Sequence, residues 1–148
     1  MPDERLDGPQ INIITPLEEV VNHYKPDIAY LPHGGDLNQD HRAVHEASRA
    51  VCRPFAQHSP KFLRVYEVPS STDQVSGKSE RPFLPNYYVN IESSLDLKIK
   101  AMESYSEEIR EFPHPRSSEG LRVYAQKRGM EVGMHAAEAF VTLKDTWL

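Results

Sequence analysis

Apolar positions recur at helical spacing in four stretches and alternate or cluster in four others, and their order outlines a layered α/β domain. Leu17, Val20, Val21 and Tyr24 make the first helical stripe. Thr15 reads as its N-cap, Pro16 as the first helical position, Glu18 as the closing half of a capping box and Pro26 as its end. Residues 27–31 read as a short buried strand. Residues 40–53 then read as a helix, with Val44, Ala47 and Val51 on one face and Pro54 as the stop. Residues 62–68 alternate as a strand, and residues 69–82 form a serine-rich loop. Residues 83–91 give a second, aromatic-rich strand that Pro85 confines to the neighbourhood of a sheet edge. Ser93 or Ser94 caps a long helix carrying Leu95, Ile99, Met102, Tyr105 and Ile109. Residues 113–117 break it, Ser117 opens another helix reaching Gly129 or Gly133, and residues 139–143 close the chain as a strand.

An α/β layer usually opens on a central apolar strand, and the first fourteen residues offer only Ile11-Asn-Ile-Ile14. At 148 residues the chain is expected to be a single domain, 1–148. A formal net charge of -5 exerts no pull on phosphates, so neither nucleic acid nor an anionic membrane is an expected partner. The single cysteine, Cys52, excludes an internal disulfide framework. It reads as a packing residue of a reducing compartment, and the cytoplasm is the expected location. The first seven residues lack the charge and apolar core of a signal peptide.

The most polar passage from strand to helix is His33-Gly-Gly-Asp-Leu-Asn-Gln-Asp-His-Arg42. Open α/β sheets place reactive groups at such strand ends. His41 and His45 stand four apart, so they share a helix face, and with Asp36 and Asp40 they resemble part of a divalent-metal site. Equally, Asp40 could cap the helix and His45 could be a packing residue. His114-Pro-Arg-Ser117 offers a guanidinium fork beside a serine-capped helix start, suited to an anion. Its alternative is a helix–helix connector whose arginine pairs with a nearby glutamate. Ser70-Ser-Thr72 has no glycine-flanked elbow and reads as loop chemistry.

Residues 33–42 resemble the PIG-L / LmbE-like family of zinc-dependent N-acyl deacetylases. The likeness continues in family order through residues 2–7, 66–72, 85–91 and 114–117, Arg128-Gly129, and residues 137–140. The resemblance implies a Rossmann-like fold with a mostly parallel sheet, and hydrolysis of an acetamide on an amino-sugar-type small molecule. It places a zinc ligand on His41, a site-bracing carboxylate on Asp40 and the oxyanion-steadying position on Asn38. The family has a histidine at that last position. Asn38 can donate a hydrogen bond but cannot shuttle a proton, and His114 is the candidate stand-in. Arg116 and His114 are expected to meet the sugar or an attached phosphate.

The family's His-Pro-Asp-Asp-Glu segment, which supplies two zinc ligands and the general base, does not occur in the 148 residues. The resemblance therefore implies a domain lacking its first strand or strands. Such a chain would bind zinc weakly by itself and be inactive as it stands, and it would either self-associate as a homo-oligomer to cover exposed edges or be a trimmed version of a longer protein. The alternative is a truncated family member acting as a non-catalytic binding or assembly module.

Overall fold

The computed structural model describes residues 6–74 and 81–147. Its helices are α1 (Ile11–Tyr24), α2 (Gln39–Val51), α3 (Leu95–Glu103) and α4 (Ser118–Met130), with a 3-10 turn at Glu92–Ser94. Its strands are β1 (Ile28–Pro32), β2 (Phe62–Tyr66), β3 (Tyr87–Asn90) and β4 (Ala137–Asp145), in sheet order β1-β2-β4-β3. The residues group into two compact units, Met1–Leu84 with Val141–Leu148, and Pro85–Phe140. Among the described residues no helix is long and apolar enough to cross a membrane.

The α/β class is as expected, but the sheet is only partly parallel, which corrects the mostly parallel expectation. β1 and β2 run parallel from Ile28↔Phe62 to Pro32↔Tyr66, whereas β3 and β4 are antiparallel from Tyr87↔Phe140 to Asn90↔Ala137. The reason is parity. One crossover helix, α2, returns the chain to its starting direction, while two helices separate β3 from β4 and add one more reversal. β3 lies at the sheet edge, as Pro85 implied.

α1 starts earlier than its capping signals suggested. Gln10 is the N-cap and makes no side-chain cap bond, and Pro16 lies inside the helix rather than at its first position. Thr15 is therefore not a cap. Ile13 is buried, and Ile14, Leu17 and Val21 pack on the core of Val51, Cys52 and Leu63. That stripe outweighs the one backbone bond the proline removes. Val20 and Tyr24, expected on the buried face, are 51% and 74% exposed.

In the second unit Ile91, Leu95, Ile99, Leu121, Ala125 and Ala136 form the core, with Met102 against it. α3 is shorter than expected and leaves Tyr105 64% exposed. Ser104 stops it: its hydroxyl donates back to the Ala101 carbonyl at 2.6 Å, a local bond that competes with helix propagation. Ser94 makes no side-chain cap; its hydroxyl goes to the Ile91 carbonyl instead. Ser117 caps α4 as expected, accepting the Gly120 N–H at 2.9 Å.

Leu63→Ala should lower unfolding free energy by about 2–5 kcal/mol, and Val20→Ala by less than about 0.5 kcal/mol. Urea titrations check this; equal losses would contradict the placement of α1's buried face.

Candidate functional site

The passage from β1 to α2 lies wholly within the first unit, and its centre is Asp36. The residue is 2% exposed overall and its side chain is fully covered. The carboxylate accepts the Asn38 N–H at 2.8 Å, the Thr72 hydroxyl at 2.8 Å and the Ser71 hydroxyl. His41 Nδ1 faces it at 3.2 Å, an ion-pair contact without the alignment of a directed hydrogen bond. Burial opposes the charged carboxylate. The His41 ring, the Ser71 hydroxyl, the Asn38 N–H and the Thr72 hydroxyl outweigh it and hold the pKa at about 2. The same negative charge, added to burial, pushes the Tyr66 phenol up.

The loop around this carboxylate is tightly determined. Arg42 Nη1 donates to the Asp36 and Leu37 carbonyls, each at 2.6 Å. Gly34 is required by close approach: a Cβ there would lie 2.6 Å from the His45 ring. At Gly35 a Cβ would collide with the Arg81 carbonyl. That carbonyl accepts His33 Nε2 at 2.9 Å, and the His33 ring meets Phe83 edge-on at 5.3 Å. In the turn after β2, Ser70 is held at a φ of 68°, a left-handed conformation uncommon outside glycine. The next two residues both reach Asp36 with their hydroxyls.

The other expected site residues are placed as follows. Asn38, not Asp40, caps α2: its side-chain oxygen accepts the Asp40 N–H at 2.8 Å, leaving the amide NH2 as a donor. Asp40 Oδ1 accepts the Leu6 N–H at 3.0 Å. His45 is a packing residue, 7% exposed, donating Nδ1–H to the Pro32 carbonyl at 2.8 Å. Burial pushes its pKa down, partly offset by that carbonyl. Cys52 is buried packing as well. His114 and Arg116 belong to the second unit. There the Arg116 N–H donates to His114 Nδ1 at 3.1 Å and the guanidinium pairs with Glu108, so the connector alternative describes their internal contacts. Sequence reasoning missed the clamp made by Ser71 and Thr72; two adjacent hydroxyls were its only trace. Residues 75–80 of the expected functional loop lie outside the described residues.

A hydrolytic zinc needs three protein ligands and an open position. Among the described residues no group of three His, Cys, Asp or Glu is arranged to hold a metal ion. Among the described residues the passage offers the His41 imidazole backed by Asp36, short of the three ligands a hydrolytic zinc needs.

No family profile and no curated protein matches the sequence. Solved structures do resemble it. The conserved protein TT1542 from Thermus thermophilus superposes on 100% of the chain with a TM-score of 0.75 at 20% identity. The N,N'-diacetylchitobiose deacetylase from Pyrococcus horikoshii, solved with its inhibitor MPG, superposes on 97% with a TM-score of 0.72 at 18% identity. The chain shares their fold. It spans 65% of the first structure's length and 55% of the second's.

The folded-state pKa of Asp36 lies below the ordinary 3.8. The stabilisation is therefore complete above that value and is lost as pH falls towards about 2. Its size is about 2 kcal/mol. Asp36→Asn should lower stability at pH 7 and flatten the pH dependence between about 4 and about 2. Thermal melts across that range check it; an unchanged acid limb would contradict the charge assignment.

Proposed function

We propose that this chain is part of a zinc-dependent deacetylase hydrolysing the acetamide of an N-acetylated amino sugar or sugar conjugate. One observation carries the reading: a deacetylase-like fold presents, at a strand-to-helix passage, an imidazole backed by a buried carboxylate. A carboxylate behind a histidine orients the ring, as metal-ligating histidines require.

In this reading His41 would help hold the metal, and the further ligands it needs would come from outside the described residues. Asn38 donates its amide N–H to the developing oxyanion. Asp40 steadies the first turn of α2. In the second unit, His114 Nδ1 accepts the Arg116 N–H, so its neutral ring would carry hydrogen on Nε2, and the resemblance would give this pair the role of meeting a sugar or an attached phosphate. Zinc of this kind polarises a carbonyl and acidifies bound water, chemistry that the described residues cannot support without further ligands.

The second reading, a non-catalytic binding or assembly module, draws support from the lack of a three-ligand group among the described residues. Zinc analysis separates the two. In the longest expressible form containing this chain, His41→Ala should reduce zinc content to about a tenth or less of wild type and abolish acetate release. Unchanged zinc in that variant refutes the ligand assignment. Stoichiometric zinc on the 148-residue chain alone would refute the need for outside ligands.

A further inference from the structure

The turn after β2 closes on the same carboxylate that faces His41, and it reaches Asp36 across 35 and 36 positions of sequence. We propose that Ser71 and Thr72 are positioning residues for His41: their hydroxyls fix the plane of the Asp36 carboxylate, and so fix which nitrogen of the ring stays outward. The clamp's place in catalysis rests on the deacetylase reading; its effect on the ring does not.

The two carboxylate oxygens carry unequal loads. Oδ1 accepts the Asn38 N–H at 2.8 Å and the Ser71 hydroxyl, and it is also the atom that His41 Nδ1 faces at 3.2 Å. Oδ2 accepts the Thr72 hydroxyl at 2.8 Å. The Thr72 oxygen in turn accepts the Val68 N–H at 2.9 Å. With that amide on one lone pair, the single hydroxyl hydrogen is directed at the carboxylate. The torsion that carries a carboxylate is broad, so its oxygens exchange places easily unless they are held. A hydroxyl donor on each oxygen blocks that rotation and keeps Oδ1 towards the imidazole. The His41 ring makes an ion-pair contact rather than a directed bond, and its orientation therefore follows where Oδ1 is held.

Closing the turn does not need these hydroxyls. The Ser71 and Thr72 N–H groups both donate to the Val68 carbonyl, at 3.1 and 2.9 Å, and the Ser71 carbonyl accepts the Leu37 N–H at 3.3 Å. Backbone bonds thus already shape the turn and dock it on the passage from β1 to α2. Ser70 is nevertheless held at a φ of 68°, a strain that the contacts of the next two residues must outweigh.

The test is nitrogen-15 NMR of the His41 imidazole in the 148-residue chain, at a pH where the ring is neutral, on wild type, Thr72→Val, Thr72→Ser and Ser71→Ala. Amide proton–nitrogen spectra confirm that each variant is folded. Thr72→Val keeps the side-chain shape without the hydroxyl, and should lower the ratio of Nδ1–H to Nε2–H ring about fivefold, the size of one lost hydrogen bond. Ser71→Ala should lower it by about the same factor, and Thr72→Ser should stay within about twofold of wild type. Should Thr72→Val not fold, Ser71→Ala decides by the same criterion. A folded, destabilised variant with the wild-type ratio overturns the proposal, because a turn that serves stability alone leaves the ring unmoved. A ratio not restored in Thr72→Ser overturns it as well. In the longest expressible form containing this chain, Thr72→Val should lower kcat for acetate release about fivefold with KM within about twofold. A ring that responds in a protein releasing no acetate keeps the clamp and refutes the deacetylase reading. Acetate release with an unmoved ring keeps that reading and overturns the clamp.

Discussion

A single buried carboxylate organises the passage from β1 to α2 in the first unit. Asp36 is fully covered, yet the sum of its contacts favours its charged form. An unpaired charge there would be costly enough to dissolve the loop. Its partners come from three segments: the loop itself, the start of α2, and the turn after β2. The carboxylate does for these segments what a ladder of backbone bonds does within a strand. Removing one partner leaves the others facing a poorly compensated charge, and the group therefore acts as a unit.

The chemistry follows from that constraint. His41 is on the first turn of a helix, where a ring could otherwise sample several rotamers. Asp36 faces Nδ1 of the ring, and in the proposed deacetylase reading the other nitrogen would be the one that meets a metal. Gly34 and Gly35 permit the close approach that closes the loop over the carboxylate, because a side chain at either position would strike His45 or the Arg81 carbonyl. His45, although on the same helix, is spent on the Pro32 carbonyl and anchors α2 against the end of β1. Two histidines four residues apart thus have different jobs, and burial separates them.

Much of this was legible in the sequence where a local rule decides. Ser117 begins α4 and Pro85 keeps β3 at an edge, while α2, expected from about residue 40, is capped two residues earlier by Asn38. Local rules failed where tertiary packing overrode them. The Thr15-Pro16 entry signal is sound in itself, but apolar Ile13 and Ile14 extend α1 past it onto the Val51 and Leu63 core. Tyr105 and Ile109 keep helical spacing beyond Glu103, yet Ser104 ends α3. The direction of β4 depends on how many helices precede it. The clamp from Ser71 and Thr72 spans 35 and 36 positions of sequence separation, and no spacing rule connects it to Asp36. The resemblance to a deacetylase family anticipated the fold shared with the solved deacetylase, although at 18% identity that likeness speaks for architecture and not for activity.

The most direct test of Asp36 as the pin for His41 is the tautomer of the His41 ring, read by nitrogen-15 NMR of the imidazole at neutral pH. A carboxylate only accepts, so the account requires hydrogen on Nδ1, with Nε2 carrying the free lone pair in the neutral ring. Observation of the Nε2–H tautomer in the wild-type chain, or of the same tautomer balance in Asp36→Asn, would contradict it.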